Sequence, residues 1–167
     1  MVLPLVLCGG VTRALHPSSV SPMGFMWKAH LQLKKKLLEE IEKRTGVTLD
    51  LEALTIGFAR RAAAYKRSGL IFYKPHVIEP LLRNRTIQLV FSGKAHPEDE
   101  WGKQIVANIA EMAYKFPDSV VFLENYNMEL GRILTSGCDV WLNTPQRPLE
   151  ASATSGMKAA LNGVLNL

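Results

Sequence analysis

The sequence predicts an α/β fold in which a parallel sheet is covered by helices on both faces. Two observations favour this class. From residue 53 onward, short apolar segments alternate at regular intervals with longer amphipathic segments. Glycine, proline and small polar residues stand between these segments, as turns require. The 167 residues are 47% hydrophobic and 21% charged, which fits one soluble globular domain rather than a disordered chain.

Five apolar segments account for the strands of this sheet. Continuous apolar runs suit parallel strands, because such strands are buried on both faces. The fifth run reaches the last residue, so we expect the chain to be a fragment of a longer protein. In chain order, the predicted strands are 53–59, 87–91, 118–123, 139–142 and 164–167.

Helical patterns occupy the other segments. Residues 25–45 place apolar side chains near a helical period, and Gly46 follows as a terminating glycine. The run Lys34–Lys36 is followed by glutamates, which favours a solvated helix face over a nucleic-acid contact. Residues 1–24 are predicted to be an irregular leader. The other predicted helices are 70–82, which Pro75 and Pro80 interrupt, then 98–116, 128–136 and a segment that begins near residue 154.

The charge balance indicates an anionic partner. Lys and Arg together number 20 and Asp and Glu 15, so the formal net charge is +5. Phosphate, a phosphosugar, nucleic acid or a membrane surface would each satisfy this excess. Cys8 and Cys138 are far apart in the sequence, so free thiols in a reducing compartment, the cytoplasm, are expected. The four histidines lack the spacing of zinc ligands, and no apolar run is long enough to cross a bilayer.

The segment 147–158 carries the clearest sign of chemistry. Small polar residues at 154–156 stand at a predicted helix start, where backbone N–H groups lack intrahelical partners and the dipole is positive. Such a terminus binds anions readily. Lys158 lies one turn after Thr154, on the same predicted face, and Glu150 precedes both. An ordinary capped helix with a solvated lysine is the alternative at this stage.

Polar and cationic residues also follow the other predicted strands. Ligands of open parallel sheets bind outside the carboxyl ends of the strands. Arg60, Arg61 and Lys66 could together hold more than one phosphate group, and four of the five ends carry residue types that bind anions. The alternative is that strand ends are simply polar. The residues concerned are Arg60, Arg61 and Lys66, then Gly93 and Lys94, then Asn125 and Tyr126, then 143–147, and finally 150–158.

Six motifs occur in a fixed order: Leu54–Arg61, Tyr65–Arg67, Phe91–His96, Val121–Tyr126, Asp139–Asn143 and Arg147–Lys158. Together they resemble the C-terminal lobe of the α-glucan phosphorylases, which act on glycogen, starch or maltodextrin, and are most similar to the short bacterial and archaeal type. The resemblance covers residues 26–167. Residues 1–24 match no part of it.

The resemblance implies a truncated C-terminal lobe of a type-B glycosyltransferase, with a Rossmann-like sheet. Residues 25–50 would form a helix that joins a missing first lobe, and residues 51–167 would be a partial cofactor lobe. The implied reaction is phosphorolysis of α-1,4-glucan or maltodextrin by inorganic phosphate, which yields glucose 1-phosphate with retained configuration. Neither nucleic acid nor a membrane would be a partner. We expect this polypeptide alone to lack the activity, because the cleft of such enzymes lies between two lobes.

The implied cofactor is pyridoxal 5′-phosphate, joined through a Schiff base to the lysine that matches Lys158. Its phosphate would exchange a proton with the substrate phosphate. Burial would lower the pKa of that lysine, which favours the uncharged amine needed for the Schiff base. The residues that match cofactor contacts are Lys158, Arg60, Lys66, Tyr126, Thr154 and Ser155.

The matching catalytic residues are Arg61 and Lys66, and Arg61 would lie near the substrate phosphate. Arg60 and Lys66 would lie near the cofactor phosphate. The family usually has glycine where Ala153 stands, and a Cβ would strain a backbone position that needs glycine. The residues that match substrate contacts are Arg61, Glu150, Ala151, Ser152 and Ala153, with Glu150 at the sugar hydroxyls.

Two other functions are compatible with the residues alone. A type-B glycosyltransferase that uses a nucleotide sugar would share Glu150 and the helix start but would not need Lys158. A non-catalytic module that binds phosphate or nucleic acid would account for the basic balance and for Lys34–Lys36.

Overall fold

A computed structural model describes residues 22–150 and 152–167. The first helix, α1, spans Pro22–Thr45 and therefore begins three residues before the predicted start. Gly46 follows the last residue of this helix. Its φ of 73° and the bond from its N–H to the Glu42 carbonyl (2.8 Å) are those of a terminating glycine. The remainder of the predicted leader, residues 1–21, lies outside the described residues.

The sheet has five strands that all run parallel, in the order β3-β2-β1-β4-β5. The predicted parallel α/β fold is therefore confirmed. Successive strands are added on one side from β1 to β3, and then the chain returns to β4 on the other side of β1. This reversal opens a crevice at the carboxyl ends of β1 and β4, which is where such sheets bind ligands. The strands are β1 (Leu54–Ala59), β2 (Ile87–Ser92), β3 (Val120–Leu123), β4 (Val140–Trp141) and β5 (Leu165–Asn166).

Helices and two short 3₁₀ helices connect the strands. The predicted helical segment 70–82 is interrupted at Pro75, as expected, because the chain forms a 3₁₀ helix at Ser68–Phe72 and begins a new α-helix at Pro75. The interruption expected at Pro80 is not found, since Pro80 lies inside that α-helix. Proline suits a first helical turn, since the amide hydrogen it lacks would have no acceptor there. The α-helices after α1 are α2 (Pro75–Arg83), α3 (Glu100–Lys115), α4 (Met128–Gly137) and α5 (Thr154–Leu161), and the other 3₁₀ helix is Ala64–Lys66.

Side chains of each strand alternate between two apolar clusters, so the sheet is buried on both faces. In β2, Leu89 and Phe91 pack against α2 and α3, whereas Val90 packs against α1, α4 and α5. Leu37 of α1 and Trp141 of β4 are both fully buried on the second face. Because α5 packs on this face, its start is brought to the edge of the crevice between β1 and β4.

The expectation that Lys34 faces solvent is wrong. Lys34 is only 2% exposed, and its Nζ donates to the Ala53 carbonyl (2.8 Å) and to Oδ2 of Asp139 (2.7 Å). Oδ1 of Asp139 lies 2.7 Å from Nε2 of His30, and the Thr55 N–H donates to Oδ2 at 2.7 Å. Burial raises the pKa of Asp139, but the hydrogen bond with His30 and the Lys34 charge outweigh it and hold this pKa below its ordinary value.

This ion cluster lies at the amino ends of β1 and β4 and joins α1 to the sheet. Lys34 is therefore neutralised inside the protein and does not contribute to a basic surface for nucleic acid. Lys35 and Lys36 are exposed, as expected. Over the described residues, no helix is both long and apolar enough to span a membrane.

Candidate functional site

Arg60 is the centre of a polar cluster at the carboxyl ends of β1 and β4. It follows β1 directly and is only 7% exposed. Its Nε donates to Oγ of Ser155 at 3.0 Å, and its Nη2 donates to Oδ1 of Asn143. Three parts of the chain that are distant in sequence therefore meet at one guanidinium group: the end of β1, the end of β4 and the start of α5.

The third nitrogen of this guanidinium has no hydrogen-bond partner in the described part of the chain. Nη1 of Arg60 is buried, and Oε2 of Glu150 lies 3.5 Å from it. Burial lowers the pKa of Arg60, while Glu150 and Tyr65 oppose that shift, and an arginine remains charged at neutral pH in any case. A buried cationic donor without a hydrogen-bond acceptor among the described residues is costly for a protein, and an anionic ligand bound here would supply that acceptor.

Lys66 and Glu150 form the second part of the cluster. Nζ of Lys66 donates to Oε2 of Glu150 at 2.7 Å, and Lys66 is 9% exposed. The hydrogen bond from Lys66, followed by the charges of Lys66, Arg60 and Arg61, holds the pKa of Glu150 below its ordinary value. Three cations thus act on one carboxylate, and the cluster keeps an excess of positive charge.

Hydrogen bonds join the two loops that carry this ion pair. Arg67 donates from Nε to the Thr144 carbonyl (2.8 Å) and from Nη2 to the Pro145 carbonyl (3.2 Å). The N–H of Gln146 donates to the Tyr65 carbonyl at 2.7 Å. These bonds fix the 3₁₀ helix that carries Lys66 against the segment that leads to Glu150. Arg67 adopts a left-handed backbone, with φ of 49°.

Gly93 allows the ends of β1 and β2 to approach closely. A Cβ at this position would overlap the carbonyl oxygen of Arg60. The N–H of Arg60 donates to the Ser92 carbonyl at 3.2 Å, which holds the two strand ends in register. The sequence pattern places Gly93 and Lys94 together as residues of one strand end. Lys94 is exposed, whereas Gly93 allows the Arg60 backbone to take its position.

Helix α5 begins where the sequence predicted, immediately after Ala153. Ala153 has φ of 50° and ψ of 51°, so it occupies the left-handed region that glycine tolerates best. This agrees with the expectation that the position suits glycine. Its carbonyl accepts from the N–H groups of Gly156 (2.9 Å) and Met157 (3.3 Å), which close the first turn. Gly156 packs so tightly that a Cβ there would lie 2.5 Å from Oδ1 of Asn166.

Ser155 links α5 to both neighbouring strands. Its Oγ accepts from Arg60 and also from Nε1 of Trp141 at 3.3 Å. Sequence reasoning treated Trp141 only as part of a strand motif. The signal that could have suggested a polar role is its position at the carboxyl end of β4, where the indole N–H can reach the site.

Lys158 is exposed, so the expected burial of its amine is not found in this chain. The buried face of α5 consists of Gly156 and Ala159, and Lys158 lies off that face. Within residues 22–150 and 152–167, its amine takes part in no ion pair or side-chain hydrogen bond. Thr154 is exposed as well, which agrees with the predicted shared face of Thr154 and Lys158.

The other predicted site residues lie at varying distances from the cluster. Arg61 is exposed but near enough to Glu150 to lower its pKa. Ser152 is exposed, and Ala151 lies outside the described residues. Tyr126 follows β3, two strands away from β1, where it packs against Gly131 of α4, and burial raises its pKa.

The fold and this cluster define the class of protein: a Rossmann-like α/β lobe that gathers cationic groups at the reversal point of its sheet. Residues 23–167 match the family described as carbohydrate phosphorylase. The chain belongs to this family, as the sequence motifs implied.

Curated relatives agree with this assignment. The chain is 44% identical over 158 residues to the maltodextrin phosphorylase of Thermococcus litoralis. This alignment covers 85% of this chain and 19% of that protein. It is 42% identical to the glycogen phosphorylase of Mycobacterium tuberculosis, with the same coverage. It is 39% identical to the glycogen phosphorylase of Aquifex aeolicus, over 85% of this chain and 24% of that protein. The chain therefore spans about a fifth to a quarter of the length of these relatives.

Proposed function

We propose that this chain forms the phosphate-handling part of an α-glucan phosphorylase. The reaction is cleavage of α-1,4-glucan or maltodextrin by inorganic phosphate, which yields glucose 1-phosphate with retained configuration. The names of the relatives, maltodextrin phosphorylase and glycogen phosphorylase, support this substrate class. The observation that carries the proposal is the buried Nη1 of Arg60, which has no hydrogen-bond partner among the described residues.

The charges of the cluster suit a phosphate rather than a neutral sugar alone. Two phosphate groups held close together repel each other, so a site that binds both needs several cations. Arg60 and Lys66 would bind the cofactor phosphate, and Arg61 would bind the substrate phosphate. Glu150 accepts hydrogen bonds and would orient sugar hydroxyls. Ala151, Ser152 and Ala153 would contact the sugar beside it.

The residues present also fit pyridoxal 5′-phosphate. The unpartnered donor of Arg60 and the start of α5 suit its phosphate group, and the exposed amine of Lys158 is free of competing partners in the described part of the chain. Thr154 and Ser155 would donate to that phosphate, and Tyr126 would lie on the cofactor side. When bound, the cofactor supplies a phosphate group that exchanges a proton with the substrate phosphate. We further propose that the protein acts in the cytoplasm, where the free thiol of Cys138 remains reduced.

Covalent trapping tests the proposal. The purified chain is incubated with pyridoxal 5′-phosphate, reduced with borohydride, digested and examined by mass spectrometry. We expect a pyridoxyl adduct at Lys158 that forms at low cofactor concentration and is lost in Lys158→Arg. Lys103→Arg, which changes an exposed lysine of α3, should keep it. An adduct spread equally over exposed lysines, or no adduct at Lys158, would contradict the proposal and favour a transferase that does not need this lysine.

Phosphate binding provides a second readout that does not depend on Lys158. Calorimetric titration with inorganic phosphate should show binding by the wild-type chain and a loss of about tenfold or more in Arg60→Met, because a charge-assisted hydrogen bond is removed. Lys35→Met changes a cation far from the cluster and should bind as the wild type does.

A further inference from the structure

We propose that Trp141 is a positioning residue of the phosphate site: its indole N–H orients the Ser155 hydroxyl so that this hydroxyl donates to a bound phosphate. The inference rests on the proposed function, since it assumes that the cluster around Arg60 receives a phosphate group. It assigns a role to a side chain that would otherwise count only as part of the core.

Within residues 22–150 and 152–167, the geometry at Ser155 leaves its hydroxyl proton without an acceptor. A serine hydroxyl has one proton to donate and two lone pairs that accept. Oγ of Ser155 accepts from Nε of Arg60 at 3.0 Å and from Nε1 of Trp141 at 3.3 Å, so both lone pairs are occupied. Among the described residues the hydroxyl therefore has no acceptor for its proton, and a bound phosphate oxygen would supply one.

The packing of Trp141 fixes the direction of its N–H. Trp141 is fully buried and lies opposite Gly57 in the register between β1 and β4. A Cβ at Gly57 would lie 3.1 Å from Cζ3 of the indole and 2.4 Å from Sγ of Cys138, so the ring and the thiol both pack closely against the backbone of β1. Because the indole ring cannot rotate within this packing, the Ser155 hydroxyl takes the orientation that accepts the indole N–H.

The position of Ser155 determines which ligand suits the donor. It is the second residue of α5, at the positive end of the helix dipole and in contact with the Arg60 guanidinium. A site built from cationic and hydroxyl donors favours a group that only accepts hydrogen bonds, and a fully ionised phosphate is such a group. Trp141 thereby contributes to selection of a phosphate dianion without touching it.

A double-mutant cycle tests whether Trp141 acts through Ser155. The wild-type chain, Trp141→Phe, Ser155→Ala and the double variant are titrated with inorganic phosphate. We expect each single variant to bind about threefold to tenfold more weakly, because each removes or misdirects one hydrogen bond to a charged group. The double variant should bind no more weakly than Ser155→Ala alone, since the effects of residues that act as a unit are not additive. Trp101→Phe, at an exposed position of α3, should leave the affinity unchanged.

The outcomes separate this inference from the proposed function. Absence of phosphate binding by the wild-type chain would overturn both. An unchanged phosphate affinity in Trp141→Phe would overturn the inference alone. The same holds if Trp141→Phe weakens phosphate binding by the same factor in the wild-type chain and in Ser155→Ala. If Trp141→Phe does not fold, replacement of Trp141 by benzothienylalanine keeps the ring shape without the N–H, and the same comparison applies.

Discussion

Lys66 and Glu150 are 84 positions apart in the sequence and form an ion pair of 2.7 Å between Nζ and Oε2. The pair joins the 3₁₀ helix after β1 to the segment before α5. Both residues belong to the cluster proposed to bind phosphate and sugar, so one contact connects the two halves of the candidate site. Its strength depends on pH, because Glu150 must be ionised to form an ion pair with Lys66.

Replacement of Glu150 by glutamine should therefore change how stability varies with pH. The pKa of Glu150 is held below its ordinary value by Lys66 and the neighbouring cations. The stabilisation it provides is complete above the ordinary carboxyl pKa of about 4.3 and is lost as the pH falls through the lowered folded-state value. We expect the melting temperature of the wild type to fall more steeply than that of Glu150→Gln between about pH 5 and pH 3.

Thermal unfolding monitored by circular dichroism over this pH range measures the difference. Glu111→Gln changes an exposed carboxylate of α3 that forms no ion pair with the described residues, and it serves as the matched control. Parallel pH profiles for the wild type and Glu150→Gln would show that the pair with Lys66 does not survive in solution.

The buried ion cluster of Lys34 gives a second prediction. Lys34→Met should destabilise the protein by about 3–5 kcal/mol, because it removes the lysine that neutralises the buried Asp139 carboxylate and leaves the Ala53 carbonyl without its side-chain donor. Lys35→Met, one position further along α1, should change the free energy of unfolding by less than about 0.5 kcal/mol. Urea denaturation of the three proteins provides the values. Similar losses in the two variants would mean that Lys34 is solvated, as its sequence context suggested.

Ala153 provides a prediction of increased stability. Its φ of 50° costs an alanine about 1–2 kcal/mol relative to a glycine, part of which the extra entropy of unfolded glycine offsets. Ala153→Gly should therefore stabilise the chain by about 1 kcal/mol. Gly46→Ala is the reciprocal control: φ is 73° and nothing lies within 4 Å of the added Cβ, so a loss of about 1 kcal/mol should come from the backbone alone. A stability unchanged by Ala153→Gly would indicate that the loop relaxes around alanine.

The sheet and the gathering of cations at the candidate site could be predicted from local patterns. The longer strands are largely apolar runs, and Arg60 and Lys66 follow the first of them, so the rule that ligands bind at the carboxyl ends predicted that these cations lie at one edge of the sheet. The strain expected at Ala153, where the family usually has glycine, agrees with the left-handed backbone found there.

Contacts between distant residues could not be predicted in this way. The burial of Lys34 depends on Asp139, 105 positions later, and a lysine beside two others in a helix gives no local sign of it. The hydrogen bond from Trp141 to Ser155 requires β4 and α5 to be placed relative to each other. The exposure of Lys158 likewise follows from which face of α5 packs on the sheet, and an eight-residue helix shows little periodicity from which to infer that face.

Gly93 provides the final prediction, because it links the backbone of the sheet to the candidate site. A Cβ at Gly93 would overlap the carbonyl oxygen of Arg60, which belongs to the backbone and cannot rotate away. Gly93→Ala should therefore push the ends of β1 and β2 apart, destabilise the chain by about 1–3 kcal/mol and move Arg60 away from Ser155 and Asn143. Gly69→Ala is the matched control, since nothing lies within 4 Å of its added Cβ. Urea denaturation measures the stability, and titration with inorganic phosphate measures the site. A folded Gly93→Ala variant with unchanged phosphate affinity would show that the site does not depend on the position of the Arg60 backbone.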